Sequence, residues 1–560
     1  MAALPSLAPQ VFGSTLEGPG VSPSLGQGVA SWGVVALTTS GAAMTMAAAG
    51  PIAVTHWTLT SLTAASYRDL LYGHINLFPN RLDMGLLVGD KTRSVEVWNA
   101  RTDSQALTAV VPASLDGVTW SGDATAMPPL SSRFWNVTVE GAGAGSLDGT
   151  LTWQFAAEQP ALPITATRLV LVGSAPDWSE PVTEQIEYLT AINPSRNRQE
   201  QRSALRAVPR RTQSYVPLLE GPEQTRFAHQ LHAWAARQWA VPIWQDAQLL
   251  ASALPAGASS LPVATLARDF EDGSMALLWT NASTWEAVAI QTVSSGALAL
   301  GRPTASDWPA GARVVPLRPG RLLGATQSAR HAASLGHWPL AWSLDPAEGL
   351  APGRIAVSGL PTYQGLEVLT LRPNAAQDLS PAAERALEAV DGSVGPMDVR
   401  DLSGFESWSR PYTWTLQGHA AFAAFLGWLE ARRGSATPFW MPTWASDLEQ
   451  TADLGASDTL LQVKDTGYSL LVAEHPSRRD LVFWPWGGSP IFRRITASSA
   501  AGAGLEQLTL DSAFGTIRQV GAFAQISFLS LVRLDHDAIT VTWVTNDLAI
   551  IQMRVREVPA

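Results

Sequence analysis

Apolar and polar residues alternate in short runs in the part of the chain that begins near residue 80. Alternation with a period of two is typical of strands that bury one face. Turns rich in Gly, Asp and Pro separate these runs at the spacing found in β-sandwiches. We therefore predict an immunoglobulin-like β-sandwich over residues 80–178. The runs that carry this prediction are "RSVEVWN", "LTAVVP", "RFWNVTVEG", "LDGTLTWQFA" and "ATRLVLVG".

A helical period appears further along the chain. The stretch "PEQTRFAHQLHAWAARQW" follows the predicted strand "SYVPLLEG" and places Phe227, Leu231 and Trp234 on one helical face. Its first residue is a proline, which suits the first turn of a helix because no backbone N–H donor is needed there. Short strands with tight turns follow, and their pattern is typical of a small sheet or barrel.

This pattern of strand, helix and strand occurs twice. "QWAVPIWQD" (238–246) and "FWMPTWASD" (439–447) each contain a proline that is followed two residues later by a tryptophan. These tryptophans are Trp244 and Trp444, and a second helix at 419–434 and similar strands recur in the same order. Two copies are too few for a solenoid. We therefore predict a tandem duplication of one α+β domain, in which Trp244 superposes on Trp444.

The predicted fold class is mainly β with α+β parts. An immunoglobulin-like sandwich precedes two tube-like copies, each of which is a strand-helix-strand unit with a small β-barrel. The predicted boundaries are 1–79 for an N-terminal segment, 80–178 for the sandwich, 183–325 for the first copy, 326–362 for a connection and 363–560 for the second copy.

The composition is that of packed globular domains. The 560 residues are 46% hydrophobic and 15% charged, and this length exceeds what one hydrophobic core usually serves. The absence of cysteine excludes disulfides, thiolate zinc sites and cysteine nucleophiles. A net charge of −11 argues against a dedicated nucleic-acid-binding protein. The 23 tryptophans exceed what a core requires, which indicates aromatic contacts at interfaces.

The N-terminal residues carry no clear structural pattern. The first ten residues lack the charged region and the apolar core of a secretory signal, so none is expected. The run at 29–54 is long and uncharged, but its apolar character comes mainly from Ala and Gly, without flanking positive charge. Buried strands or an interface segment are therefore expected there in preference to a membrane span.

No motif for catalysis, cofactor binding or metal binding is recognisable, and no P-loop, HExxH or GxSxG motif occurs. His229 and His232 lie three residues apart on the first predicted helix, without a third ligand nearby. "GAGAGSLDG" lies between two strands and does not open a helix, and Asp535 and Asp537 lack the glycine of a calcium loop. We therefore predict no catalytic, cofactor-binding or metal-binding residues and no enzymatic activity. A glycosidase, which needs only two carboxylates, stays open but unsupported.

The strongest charge feature is an arginine-rich stretch. Arg198, Arg202 and Arg206 follow a four-residue spacing, which predicts one face of a helix, and Arg210 and Arg211 follow shortly after them. One interpretation is that these guanidinium groups bind carboxylates of a neighbouring subunit. The alternatives are a contact with nucleic acid and a solvated or internally paired face.

Trp244 and Trp444 are candidate anchors for a neighbouring subunit. Each follows a predicted helix, where a flat aromatic side chain can pack against another subunit or within its own domain. Both interpretations stay open. The candidate subunit-interface residues are therefore Arg202, Arg206, Arg210, Arg211, Trp244 and Trp444.

Four separated blocks of the chain resemble a known family. They are "YGHINLFPNRLDMGLLVGDKTRSVEVWNA", "EQRSALRAVPRR", "YQGLEVLTLRPN" and "RRGSATPFWMPTWASDLE". Together they resemble the distal-tail and baseplate (tail-tip) structural proteins of siphophages, the bacteriophages with long, non-contractile tails. The resemblance covers roughly 67–560, and none of the blocks is a catalytic signature. It implies a virion protein at the distal end of the tail, made in the host cytoplasm, that continues the tail tube as a ring and supports the receptor-binding apparatus.

The resemblance also implies how the chain assembles. A tail tube is six-fold and the central tip fibre is three-fold, so a trimer of chains with two ring-forming copies provides six similar positions. A homo-oligomeric ring is therefore expected, either a trimer with pseudo-six-fold symmetry or a hexamer. Tube, tape-measure, hub and fibre proteins would be its partners, and DNA would pass through the lumen without specific binding. The alternative is a carbohydrate- or receptor-binding virion protein, with or without activity on glycans, which would expose tryptophans in a groove.

Overall fold

The fold is mainly β, as predicted. The computed structural model describes residues 71–559 apart from 142, 144, 325–326, 346–348, 377–380 and 473–474. All elements below belong to the compact unit 73–560. Most of the predicted N-terminal segment, including the run at 29–54, lies outside the described residues. No described helix is long and apolar enough to span a membrane.

A sandwich of two four-stranded sheets comes first. Its strands are β1 (Ile75–Phe78), β2 (Leu82–Leu87), β3 (Lys91–Asn99), β4 (Leu107–Ala113), β5 (Val118–Ser121), β6 (Ser131–Val139), β7 (Ser146–Phe155) and β8 (Ala161–Arg168). One sheet has the order β1-β3-β6-β5 and the other the order β2-β8-β7-β4. Alternating side chains from both sheets form one core, in which Trp135 and Trp153 pack edge to face with ring centroids 6.0 Å apart.

A short strand, β9 (Val170–Leu171), leads from the sandwich to what we call the first segment, residues 182–344. Its elements are β10 (Val182–Glu187), β11 (Thr190–Pro194), β12 (Glu200–Ala204), β13 (Arg210–Tyr215), β14 (Leu218–Glu220), α1 (Pro222–Trp234), β15 (Trp239–Pro242), β16 (Gln248–Leu249), β17 (Ser260–Leu261), β18 (Met275–Asn281), β19 (Thr284–Ser294), β20 (Ala297–Leu300), β21 (Arg313–Leu322), β22 (Ala329–Ala332), β23 (Leu335–His337) and β24 (Leu340–Leu344).

The connection that follows contains a 3₁₀ turn at Pro352–Arg354 and the strands β25 (Thr362–Tyr363) and β26 (Leu366–Glu367). We call residues 382–557 the second segment. Its elements are β27 (Ala382–Glu384), β28 (Leu387–Val390), β29 (Asp398–Asp401), β30 (Ser407–Gln417), α2 (His419–Arg432), β31 (Phe439–Pro442), β32 (Leu460–Lys464), α3 (Tyr468–Leu471), β33 (Asp480–Pro485), β34 (Ile491–Gly502), β35 (Leu505–Leu510), β36 (Phe523–Leu534), β37 (Ala538–Thr545) and β38 (Leu548–Glu557).

Strands of the two segments pair in corresponding registers. Leu261 lies opposite Leu298, just as Leu461 lies opposite Leu508. A register shift also follows the first pair of β19–β20 and the first pair of β34–β35. Order, pairing and irregularity therefore recur from one segment to the other. Further matching pairs, first segment before second, are Met275/Ala289 and Asp480/Arg494, Ile290/Leu300 and Ile495/Leu510, Tyr215/Leu340 and Tyr412/Met553, Gly320/Leu344 and Val532/Glu557, and Thr190/Ala204 and Leu387/Asp401.

The two longer helices differ in burial. Helix α1 has polar residues around much of its surface; Phe227 is buried, whereas Leu231 and Trp234 are half-buried. Helix α2 is more apolar and buries Phe422 and Trp428 among other residues. A helix that is apolar on most sides needs cover on most sides. Helix α2 therefore packs inside its segment, and α1 lies closer to solvent.

Gly427 allows α2 to approach the connection. The Ala356 backbone N–H donates to the Ala423 carbonyl at 3.1 Å, and a Cβ at position 427 would lie 1.9 Å from the Ala356 carbonyl oxygen. Gly427→Ala should lower the free energy of unfolding by about 1–3 kcal/mol, because steric strain outweighs the ~1 kcal/mol that alanine usually gains inside a helix. Denaturant unfolding followed by tryptophan fluorescence measures this change. Stabilisation by Gly427→Ala would contradict the close approach.

Candidate subunit-contact surfaces

The two segments join edge to edge. Strand β10 of the first segment pairs antiparallel with β37 of the second, from Val182 opposite Trp543 to Glu187 opposite Ala538. Because β10 also pairs with β13, it has a neighbouring strand on both sides. The sheet is therefore continuous across the junction, and one hydrophobic core contains residues of both segments.

Polar groups of the hairpin β11–β12 also contact the second segment. Thr190 donates its backbone N–H to the Asp537 carboxylate at 2.6 Å. The Arg533 guanidinium donates to both carboxylate oxygens of Glu200, at 2.7 and 2.8 Å. These charge-assisted bonds fix the hairpin beside the second segment.

A cluster of buried charged side chains lies at the same junction. Its members are Glu184, Arg211, Asp246, Asp269, Arg318 and Arg354, and each is at most 3% exposed. Arg354 donates to both oxygens of Glu184 at 2.6 Å, and Asp269 accepts from Arg211 at 2.6 Å and from Arg318 at 2.8 Å. Buried charges are tolerated when they are paired and hydrogen-bonded. Three arginines and three carboxylates meet this condition here.

The charged cluster reaches the second segment at the start of α2. The Nδ1 atom of His419 lies 3.3 Å from Oδ1 of Asp246, and the His419 ring stacks on Trp543 with centroids 5.3 Å apart. The Arg354 guanidinium lies over the Phe422 ring, 5.4 Å from its centroid. Both contacts join charges of the first segment and the connection to side chains of the second. The cluster therefore helps to hold the two segments together.

The arginines keep the buried carboxyl groups ionised. Burial alone would raise the pKa of Glu184, but Arg354 and Arg211 outweigh burial and lower the pKa to about 2. Burial likewise opposes ionisation of Asp269, and Arg211, Arg318 and Arg354 together hold its pKa well below its usual range. Both carboxylates therefore remain charged at neutral and mildly acidic pH.

Acid should weaken the wild-type protein more than a Glu184→Gln variant. A carboxyl group with a lowered folded-state pKa contributes stability above its ordinary value of 4.5 and loses it as the pH falls towards about 2. The difference in unfolding free energy between the two proteins should therefore shrink by about 3 kcal/mol across this window. Denaturant unfolding at a series of pH values measures it. A difference in unfolding free energy between the two proteins that stays constant between pH 4.5 and 2 would contradict the pairing of Glu184 with Arg354 and Arg211.

The predicted arginine-bearing helix is wrong. Residues 190–204 form the hairpin β11–β12, because cross-strand pairing overrides the four-residue spacing that suggested a helical face. Arg202 is half-buried, and Arg206 donates to the Glu187 backbone carbonyl at 2.9 Å. Arg210 is exposed at the start of β13. Arg202, Arg206 and Arg210 therefore do not line one face of a helix. Arg210 is the most exposed of the three.

Arg211 and Trp244 have their contacts inside the chain. Arg211 belongs to the buried charged cluster, and Trp244 is 1% exposed with its ring packed edge to face on Trp279, 5.4 Å between centroids. Both side chains are buried in the single chain, and their assignment as subunit-interface residues stays a prediction. Trp444 is half-buried, with left-handed backbone (φ 60°), and stacks on Trp484 at 5.1 Å. Trp244 and Trp444 thus hold matching sequence positions in different local conformations.

The hairpin β28–β29 carries an exposed apolar surface that sequence reasoning missed. Leu387, Ala389 and Val399 share one face, because Ala389 lies opposite Val399 and Leu387 is two residues from Ala389. Glu388, on the other face, binds Arg196 of the first hairpin at 3.0 Å. A two-stranded hairpin with exposed apolar residues is typical of a contact surface. The exposed apolar side chains, 46–96% accessible, are Leu387, Val390, Val394, Met397 and Val399.

The other candidate residues are either exposed or hydrogen-bonded within the chain. His229 and His232 are exposed, and the described residues contain no group of three metal-ligating side chains. Asp535 accepts from Arg556 at 2.7 Å, and Asp537 accepts from backbone N–H groups that include that of Ser435 at 2.8 Å. The "GAGAGSLDG" loop leads into β7 and lies partly outside the described residues.

Sequence reasoning also missed the charged cluster. Glu184, Asp269, Arg318 and Arg354 are far apart in the chain, so no local spacing brings them together. One signal was present: Arg318 lies within the otherwise apolar run "VVPLRPG". A lone charge in such a run usually requires a buried partner.

Comparisons with known proteins do not identify the chain. No family model and no curated protein matches it. A solved structure described as a protein of unknown function from Porphyromonas gingivalis W83 matches with a TM-score of 0.15 and 21% identity, covering 17% of this chain and 46% of that one. The secreted serine protease VesC from Vibrio cholerae matches with a TM-score of 0.14 and 12% identity, covering 47% of this chain and 49% of that one. The chain thus spans less than half the length of each of these structures.

Proposed function

We propose that this protein is a structural component of a siphophage tail tip. In this role it forms a ring that continues the tail tube and supports the receptor-binding apparatus, and it acts without catalysis. Tube, tape-measure, hub and fibre proteins are its proposed neighbours in the virion, and DNA passes through the lumen without specific binding. The resemblance of four sequence blocks to tail-tip proteins suggests this role.

One structural observation carries the ring part of the proposal. The first and second segments have corresponding strand registers, and they stand side by side through the pairing of β10 with β37. The contact is head-to-tail, since different strands of the two segments meet. Heterologous contacts of this kind generate closed rings when the rotation between units closes. Three chains with two segments each then give six similar positions.

The same observations support the finer interpretation of the fold. We interpret the two segments as tandem copies of one tube-like domain, each with a strand-helix-strand unit and a small β-barrel. The barrel parts have separate hydrophobic cores around Leu261 in the first segment and Leu461 in the second. The two facing four-stranded sheets at 75–168 support an immunoglobulin-like sandwich, placed on the periphery of the ring.

Tryptophan placement supports the ring over a glycan-binding protein. Among the described residues, Trp285 and Trp486 are the exposed tryptophans, and they belong to different segments. The Trp486 indole N–H donates to the Gly521 carbonyl at 2.9 Å. A glycan groove needs neighbouring aromatic faces that are free to stack on sugar rings. The remaining described tryptophans are buried or half-buried and pack within the chain.

Two measurements on the full chain test the proposal. Native mass spectrometry should give a closed oligomer, three chains in the favoured arrangement, and antibodies against the protein should label the distal end of tails. Incubation with cell-wall and surface glycans tests the enzyme alternative. Hydrolysis that is lost on replacing one carboxylate would contradict a purely structural role, and labelling elsewhere on the particle would contradict the tail-tip position.

A further inference from the structure

Strands β22 and β27 are among those with only one paired edge in the described residues. β22 pairs with β23, and β27 pairs with β30. Every residue of these two short strands is exposed. A free strand edge presents unpaired backbone N–H and C=O groups that can pair with another chain. These two edges are therefore candidate sites for strand addition.

Strand β22 corresponds to the end of β37 in the second segment. Ala332 lies opposite Leu335 in the hairpin β22–β23, just as Thr545 lies opposite Leu548 in the hairpin β37–β38. A register shift precedes both pairs. The difference is that β37 is paired on both sides, because β10 occupies its second edge.

Strand β27 corresponds to the end of β10 in the first segment. Glu384 lies opposite Ser407 in the pair β27–β30, just as Glu187 lies opposite Arg210 in the pair β10–β13. Here too the counterpart is paired on both sides, since β37 occupies the second edge of β10. Each chain thus contains one formed contact between β10 and β37. It also contains the corresponding strands β27 and β22, each of which is paired on one edge only in the described residues.

We infer that the start of β27 of one chain pairs antiparallel with residues 327–328, which precede β22, of a second copy. In the internal contact Gln185 lies opposite Thr540. By the register correspondences above, Gln185 corresponds to Ala382 and Thr540 corresponds to Gln327. Ala382 of one chain should therefore lie opposite Gln327 of the next. The Arg198 guanidinium donates to the Glu384 backbone carbonyl at 3.3 Å. The carbonyl at the C-terminal end of β27 therefore already has a partner within the chain. In the described residues, the contact therefore places Pro381 opposite Ser328 and Ala382 opposite Gln327 of the neighbour.

The two hairpins support this assignment. Inside the chain, β11–β12 contacts the second segment through Thr190 and Glu200. The matching positions of β28–β29 are Leu387 and Met397, which are 54% and 55% exposed. The equivalent contact between chains would bury these apolar side chains, whereas the internal contact uses polar ones. Burial of an exposed apolar surface is the expected driving force for association.

This inference rests on the proposed ring and specifies its contact. The contact is heterologous, so each chain uses the start of β27 with one neighbour and residues 327–328 with the other, and a closed ring leaves neither surface unpaired. The tail-tip location is a separate part of the proposal. The strand contact can therefore be tested on the purified protein.

Engineered cysteines test the contact in the full chain, which has no cysteine of its own. Chains with Ala382→Cys and chains with Gln327→Cys are mixed and oxidised, since paired strand residues lie within disulfide range. A covalent dimer should form in the mixture and in neither variant alone. A chain with both substitutions should give covalent dimers and three-chain species. The internal pair Gln185→Cys with Thr540→Cys is the matched control, and it should form a disulfide within one chain.

The outcomes separate the strand contact from the proposed function. A closed oligomer in native mass spectrometry without the Ala382–Gln327 cross-link, while the control pair forms, would overturn the strand contact and leave the ring intact. Self-linking of the Ala382→Cys variant would overturn it as well, because that indicates an isologous contact. A monomer in both measurements would overturn the ring and the contact together. Cross-linked rings without labelling of tails would support the contact and contradict the tail-tip position.

Discussion

Arg354→Met should lower the free energy of unfolding by about 3–5 kcal/mol, because it leaves buried carboxylates without their main partner. Arg354 donates to both oxygens of Glu184, and its guanidinium also lies 3.6 Å from Asp246 and 3.9 Å from Asp269. Removing this charge leaves two positive charges and three negative charges in the buried cluster. Denaturant unfolding followed by tryptophan fluorescence measures the loss.

Arg196→Met provides a matched control for this prediction. Arg196 also pairs with a carboxylate, Glu388, but its side chain is 76% exposed. An exposed ion pair contributes less than about 1 kcal/mol, so this variant should unfold close to wild type. Similar losses for the two variants would contradict the account of the cluster. In the double variant Arg354→Met and Glu184→Gln, the loss should be smaller than the sum of the single losses, because the partners depend on each other.

Leu387→Asp combined with Val399→Asp should weaken assembly at least about 100-fold while the chain stays folded. Leu387 is 54% and Val399 46% exposed in the single chain, so their replacement removes less internal packing than replacement of a core residue would. Burial of a Leu or Val side chain contributes about 1.5–3 kcal/mol, and two carboxylates would oppose association further. Sedimentation or native mass spectrometry over a concentration series measures the change, and circular dichroism checks the fold.

Leu130→Asp is the control for this assembly prediction. Leu130 is 56% exposed in the sandwich, outside both segments. This variant should assemble like wild type if the sandwich lies on the periphery of the ring. Normal assembly of the double hairpin variant would show that β28–β29 lies outside the contact.

The mainly β fold could be predicted from local pattern. Alternation along β3, β6, β7 and β8 reflects strands with one face in the sandwich core, and this signal depends only on neighbouring residues. The repeated proline and tryptophan in the two segments suggested corresponding strands, and the registers around Leu261 and Leu461 correspond. Whether these segments are tandem copies stays a proposal.

The candidate contact residues could not be placed from sequence for two physical reasons. Spacing of arginines at 198–206 fits a helix, but strand pairing between Thr190 and Ala204 determines the hairpin, and pairing is not visible in spacing. The charged cluster unites Glu184, Asp269 and Arg354 across long stretches of chain, so only the tertiary fold creates it. The exposed apolar surface of the hairpin β28–β29 could not be predicted, because the sequence does not distinguish its five exposed apolar residues from those of a buried strand.

The rotational symmetry of this protein in assembled tails tests the central claim most directly. Averaged electron micrographs of tail tips should show three chains around the axis, with six similar densities from the two segments of each chain and a lumen wide enough for duplex DNA. Six chains with twelve such densities would refute the trimer and keep the ring. A monomer bound off the tail axis would contradict the account.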